Sequence, residues 1–410
     1  MGVTTLSKRL FMFLTVMGPG IVTAFADNDA GGIATYAAVG AQYGYDLLFV
    51  LLVSTISLAV FQEISARTGV VTGRGLAALI REHYGVCWSF VAMIILLFAN
   101  IATTVSEFSG IASSFEILSV SKYVVVPLSA VLIWWLVLKC NYRSVEKVFF
   151  CLCLMFLSYI STGMIVEPNW QAAGEAMIFP GFSTNSEYIL LAVGLVGTTI
   201  TPWGQFYIQS SVVDKGIRAD KYRYILVDVL VGTLLTGIIA FFVIIVTAAA
   251  LYGNHFVIEN VQDAAIALEP LAGEYAKLLF AFGLFGASML AAVILPLSTA
   301  YAICEAMGFE HGIDKSYREA PIFFILYTFL IAIGAGLVLV PEISLYKVML
   351  AAQVINGILL PPILIFMLLL VNNQELMGKY RNHKCYNYIA GSFTVLLILL
   401  NLIILVTTLI

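Results

Sequence analysis

Charge is what this sequence has least of. Only 11% of its 410 residues are Asp, Glu, Lys or Arg and 61% are hydrophobic, whereas soluble domains carry about 25% charged residues. So few charges cannot cover a water-facing surface, which excludes a cytosolic globular enzyme and makes lipid the solvent for most of the chain. A net charge of −4 without any basic block excludes nucleic acid as a partner. Histidine is also scarce: His83, His255, His311 and His383 are the only four, and all lie outside the apolar runs. With no metal-protease or nucleophile motif present, a membrane-embedded enzyme is not expected. No stretch between apolar runs is long enough for a soluble domain with its own core.

What is present is a series of apolar runs long enough to cross a bilayer, about 20 residues each. Eleven spans are expected, at 10–41, 46–66, 88–118, 123–138, 145–166, 188–213, 222–251, 276–302, 321–340, 343–371 and 386–410. With the amino terminus cytoplasmic, 17 of the 20 Lys and Arg residues fall on inner segments, and only Lys122, Lys277 and Lys347 lie outside. That asymmetry fits a multi-pass protein of a plasma or bacterial inner membrane whose carboxyl terminus is extracellular. A cleaved signal peptide, suggested by Lys8, Arg9 and Ala24-Phe25-Ala26, is disfavoured because Gly18-Pro19-Gly20 would interrupt its apolar region. All six cysteines fall at the cytoplasmic face or in the inner half of a span, so no disulfide is expected, and Cys151 and Cys153 read as a packing pair. The outer segment 167–187 has room for a short interfacial helix.

Two spans are interrupted. Span 1 carries Asp27-Asn28-Asp29 near the midplane, followed by Gly31-Gly32. A carboxylate there costs roughly 2.5–3.5 kcal/mol and by default marks an ion or substrate path. No Lys or Arg lies at similar depth, so the missing positive charge is expected from a ligand cation or from protons. Span 6 is interrupted at Thr201-Pro202, flanked by Gly197 and Gly204, and proline together with glycine frees carbonyls that are tolerated where they line a cavity. Spans 1 and 6 are five apart, so two five-span units insert in opposite orientations. The expected fold is therefore an all-α polytopic membrane protein with an inverted 5+5 repeat of the LeuT-like kind. Broken helices 1 and 6 enclose its site, and span 11 is an accessory. The units are read as 1–166 and 188–371, separated by the extracellular loop 167–187 and followed by a cytoplasmic loop and accessory span over 372–410.

Other buried polar residues carry weaker signals. Glu107 lies mid-span. Gln62 and Glu63 sit near the inner end of span 2, where a capping role is equally natural. Asp228, in span 7, either pairs with Arg223 or belongs to an inner gate. Gln353 and Asn356, one turn apart, offer two amides on one face for interhelical bonds or for a site. Trp203 could wall a cavity at the second break, and Pro361-Pro362 is expected to kink span 10.

With Gly18-Pro19-Gly20, the run from Gln62-Glu63 through Gly69-Val70-Val71-Thr72-Gly73, and Val196-Gly197-Thr198-Thr199, the chain resembles the NRAMP family of divalent-metal transporters over most of its length. The resemblance places Asp29-Ala30-Gly31-Gly32 on the family's Asp-Pro-Gly-Asn motif, so Asp29 looks like the metal-binding aspartate while Gly32 replaces the asparagine. At the second break Thr201 stands for the family's methionine, Trp203 for its histidine, and Thr198 where a carbonyl is offered. Thr104 replaces the proton-relay aspartate near Glu107.

Thioether favours softer metals, whereas carboxylate, carbonyl, hydroxyl and water suit Mg²⁺, which sheds its waters reluctantly. The resemblance is therefore greatest to the NRAMP-related magnesium transporters. It implies a monomeric importer of partly hydrated Mg²⁺, also accepting Mn²⁺, without obligatory proton coupling and with no cofactor. The expected ligands are Asp29, the Thr198 carbonyl, and Thr201 or Asn28, with space opened by Gly32 and with Gln353 and Asn356 orienting water. Asp27 is either a second carboxylate or a vestibule residue, and Trp203, Glu107 and Asp228 are vestibule or gating candidates. Two rivals stand beside this reading: a proton-coupled Mn²⁺ or Fe²⁺ transporter, and a sodium-coupled amino-acid symporter, whose substrate carboxylate the acidic break would repel.

The orientation is directly testable in a cysteine-free background. Gln171→Cys should react with a membrane-impermeant maleimide on intact cells and Lys221→Cys only after permeabilisation; the reverse pattern would invert the topology.

Overall fold

The computed structural model describes residues 18–139, 158–183, 185–252, 258, 260–268, 273–313 and 315–409. Lys8, Arg9, the start of span 1, Cys140, Arg143, most of span 5 with Lys147, Cys151 and Cys153, and His255 lie outside the described residues. The principal elements are α1 (Pro19–Asp27), α2 (Ala30–Tyr43), α3 (Leu48–Thr72), α4 (Leu76–Glu116), α5 (Lys122–Lys139), α6 (Ser158–Ile165) and α7 (Trp170–Ile178). They continue as α8 (Ser186–Thr199), α9 (Pro202–Asp214), α10 (Tyr222–Leu251), α11 (Ala276–Met307), α12 (Pro321–Val338), α13 (Leu345–Val371) and α14 (Lys384–Leu409). No strand occurs among the described residues, and eight helical segments are long and apolar enough to cross a membrane. Span 1 is the pair α1 and α2, and span 6 the pair α8 and α9, so both expected interruptions are real breaks in the helix.

Packing follows the repeat. Helices five spans apart lie against one another: α2 against α8, α3 against α10, α4 against α11 and α5 against α12. The first broken span and α3 gather around α10, whereas α4 carries α11, α12 and α13. This is the LeuT-like inverted arrangement.

Three local outcomes refine the sequence reading. The third span is preceded by a helical arm, because Leu76, Ala77, Leu79 and Ile80 are buried. Gly85, at φ 85°, separates that arm from the span proper. The charges at Arg74, Arg81 and Glu82 hide this arm from a hydropathy reading. The segment after residue 167 does contain a short helix, α7, capped by the Asn169 side chain.

Helix α13 does not end at Pro361-Pro362 but continues through both prolines. Each proline leaves the carbonyl four residues earlier without its usual amide. Those carbonyls, Gly357 O and Ile358 O, accept from the side chain of Asn401 on α14 at 3.2 and 3.3 Å. The accessory helix thus satisfies the acceptors that the prolines release. Asn401→Leu should lower the stability of the purified protein by about 1 kcal/mol, seen as a lower unfolding midpoint in detergent; an unchanged midpoint would remove this role from Asn401.

Candidate metal site at the paired helix breaks

The first break is built by its own polar residues. Asn28 leaves the helical region at φ −87°, ψ 52°, and its Nδ2 donates to Ala24 O at 2.9 Å, closing the end of α1. Asp29 is the N-cap of α2, its Oδ1 accepting from the Gly32 amide at 2.6 Å. An aspartate at this position satisfies one of the helix's unpaired donors and sits where the helix dipole favours negative charge. One capping bond leaves most of the carboxylate's acceptor capacity available.

The second break differs. Ile200 and Thr201 are extended, and Pro202 starts α9 at a position needing no amide donor. Thr201 is the N-cap residue, yet its hydroxyl makes no capping bond and instead donates to Asp27 Oδ1 at 3.0 Å. The two breaks are therefore joined by a side-chain bond between residues 174 positions apart. Close approach of α8 and α13 fixes the third wall, since a Cβ at Gly197 would collide with backbone at Gln353 and Gly357. Gln353 Nε2 then reaches Asp29 Oδ1 at 3.2 Å, and Asn356 Nδ2 holds Gln353 Oε1 at 3.0 Å. Thr103 Oγ1 lies 3.0 Å from that same Asn356 nitrogen.

Asp27, Asp29 and Glu107 are completely buried. No ion pair among the described residues reaches any of them; the recorded pairs are Glu63 with Arg67, Glu82 with Arg74 and Glu310 with Lys315. Glu107 Oε2 accepts from the Ala30 amide at 3.3 Å, and its carboxyl lies within hydrogen-bonding reach of the Asp29 carboxyl. Glu107 Oε1 has no donor. Two facing carboxyl groups without a donor between them require a proton or a cation to share.

Gly32 shows where a cation could stand. The position its Cβ would take lies 2.8 Å from Thr198 Oγ1, 3.1 Å from Asp29 Oδ1 and 3.2 Å from the Asp27 carbonyl oxygen. Three oxygens thus surround one point that any side chain at residue 32 would fill. The Thr198 hydroxyl is buried beside Tyr36 and makes no hydrogen bond of ordinary geometry. Among the described residues no group of three or more His, Cys, Asp or Glu could hold a metal, so any ion here relies on neutral oxygens and on few carboxylates.

The predicted site residues therefore divide. Asp29, Thr198, Gly32 and Gln353 converge, with Asn356 behind Gln353 and Glu107 beside Asp29. Thr201 faces Asp27 rather than Asp29. Asp228 is elsewhere and does not pair with Arg223: its oxygens accept from the Gly18 and Gly20 amides at 3.2 and 2.7 Å, fastening the start of α1 to α10. Trp203 is buried edge-on against Tyr207 at 6.0 Å. Gln62, which sequence reasoning treated as an end-of-helix residue, donates to Asp27 Oδ2 at 3.2 Å. The signal for it was available: an amide ten residues before the end of α3, at Thr72, stays within the buried part of that helix. Above the breaks, a cavity of about 780 Å³ lies between α2, α8 and α13, lined by Tyr43, Glu187, Leu191 and Val354 among others.

Comparison with known proteins identifies the family. The family model described as natural resistance-associated macrophage protein-like (Nramp) matches residues 20–407. The chain belongs to the Nramp family. A relative named divalent metal cation transporter MntH, from Granulibacter bethesdensis, is 26% identical over 405 residues, covering 96% of this chain and 88% of its own. Among solved structures, the Eremococcus coleocola manganese transporter, in complex with an aromatic bis-isothiourea substituted compound, aligns at a TM-score of 0.76 and 19% identity. It covers 95% of this Nramp chain and 86% of its own. MhsT in complex with L-phenylalanine aligns at 0.60 and 14% identity, covering 95% and 97% respectively. Both likenesses are likenesses of fold.

Proposed function

We propose that this Nramp chain is a transporter, not an enzyme, that imports divalent metal ions, preferentially Mg²⁺ and also Mn²⁺, without obligatory proton coupling. The observation that carries the reading is the oxygen-lined point beside Gly32, with Thr198 Oγ1, Asp29 Oδ1 and the Asp27 carbonyl at 2.8–3.2 Å. Mg²⁺ usually keeps several of its waters and binds through one or two carboxylates, which this small set of oxygens around Asp29 suits. No sulfur or imidazole is offered there, so the donor chemistry favours a hard cation. Asp29 is the principal ligand, and the Thr198 and Asp27 oxygens bind directly or through water. Asn28, whose buried Oδ1 is unpartnered, and Thr201 stand next in line. Gln353 and Asn356 hold Asp29 and the bridging water in place.

The absence of coupling rests on α4. Thr104 Oγ1 donates to Asn100 O on its own helix at 2.6 Å and Thr103 is engaged with Asn356, so neither hydroxyl extends a titratable chain from Glu107. The electrical gradient can drive uptake instead, contributing about 4.6 kcal/mol per 100 mV to a divalent cation moving inward. Relatives named for divalent metal and manganese support the cation class. The amino-acid symporter alternative is disfavoured by Asp27 and Asp29 at the first break, where a substrate carboxylate would meet like charge. The remaining assignments follow: two five-span units over 1–166 and 188–371, amino terminus inside, carboxyl terminus outside, and a monomer functional in the bilayer.

Uptake into proteoliposomes with an enclosed pH dye tests the whole reading. Mg²⁺ and Mn²⁺ should enter in response to an inside-negative potential with no stoichiometric acidification, and Asp29→Ala should abolish the flux. Unchanged Mg²⁺ flux in that variant would overturn the site, and acidification in proportion to flux would overturn the uncoupled mechanism.

A further inference from the structure

Asp27 is not accounted for by the site beside Gly32, which uses only its backbone carbonyl. We propose that the Asp27 side chain, with Gln62 and Thr201, forms a second station for a divalent cation on the cytoplasmic side of Asp29. The proposal rests on the transport reading above.

Asp27 is completely buried, and its two oxygens accept one bond each, from Thr201 Oγ1 at 3.0 Å and Gln62 Nε2 at 3.2 Å. Two neutral donors do not balance a full charge at that depth. The independent sign of a ligand is in Gln62 itself. Its side chain is 1% exposed, and its Oε1 has no partner. The two ends of an amide are nearly alike in shape, so half a turn of the group replaces the donor facing Asp27 with an oxygen ligand. Asn28 Oδ1, also buried without a partner, belongs to the adjoining residue. Asp27 closes α1, and the carboxyl end of a helix favours a cation.

The three residues also occupy the right places. Asp27 ends the inner half of span 1, Thr201 opens the inner half of span 6, and Gln62 lies on the inner part of α3. An ion leaving Asp29 for the cytoplasm therefore meets them next. Successive sites of moderate affinity let an ion leave a site that it enters readily.

Binding of Mn²⁺ to the purified protein, followed by the loss of the free-ion electron paramagnetic resonance signal, separates the stations when paired with Mg²⁺ uptake in proteoliposomes. Asp27→Asn and Gln62→Leu should slow saturated Mg²⁺ uptake roughly tenfold or more, while Asp27→Glu restores uptake and shows that the fold tolerates change there. Asp29→Ala should retain a weaker Mn²⁺ site that the added Asp27→Asn removes. Wild-type uptake in Asp27→Asn, or residual binding in Asp29→Ala that ignores residue 27, would overturn the second station. Full binding and uptake in Asp29→Ala would instead overturn the primary site, leaving the residue 27 variants to be read on their own.

Discussion

Asp27 and Asp29 are buried on either side of a single non-helical residue, in a part of the molecule that no basic side chain enters among the described residues. Burying an uncompensated carboxylate costs several kcal/mol, and the surrounding helices lower that cost only in part. Capping by the Gly32 amide, the Thr201 hydroxyl and the amides of Gln62 and Gln353 supplies hydrogen bonds but no positive charge. The balance has to come from outside the chain, as a proton or a cation. The arrangement of broken helices serves this one requirement: it places backbone oxygens and short side chains where an intact helix would have placed none.

That requirement explains how distant elements are fixed. The hydroxyl at the second break abandons its own helix to reach the first break, coupling the two half-helices that face each other. Asp228 anchors the far end of α1 on α10, so the short helix that ends in Asp27 is held at both ends. Close packing of α8 on α13 brings Gln353 to Asp29, and the amide chain through Asn356 to Thr103 connects that contact to α4. An ion at the breaks would touch, directly or through one residue, both of the packed groups of helices. Binding there is consequently placed to bias their relative arrangement, which is what alternating access requires.

Much of this was legible in the sequence. Scarcity of charge pointed to the solvent, and the few intramembrane carboxylates, read with the glycine and proline breaks, marked the candidate site because such residues are costly unless used. What remained hidden depended on direction rather than depth. The direction of the Thr201 hydroxyl, toward Asp27 and not Asp29, and the bond from Gln62 to Asp27 both depend on how distant helices meet. In sequence Asp228 reads as a partner of Arg223 or as part of an inner gate, and in place of the Arg223 pairing it accepts from two amides at a helix start. Pro361-Pro362 looked disruptive because Asn401, the residue that satisfies the freed carbonyls, lies 40 positions from Pro361 in the chain.

The central claim is that the oxygen-lined space opened by glycine at residue 32, together with a hydroxyl in place of a thioether at residue 201, sets the preference for Mg²⁺. Its most direct test is the ratio of Mg²⁺ to Mn²⁺ uptake in the double variant Gly32→Asn with Thr201→Met, beside Gly32→Ala as a control that fills the space without adding a ligand. The account predicts loss of Mg²⁺ uptake in both, with Mn²⁺ uptake retained or raised only in the double variant. An unchanged ratio in the double variant would contradict it.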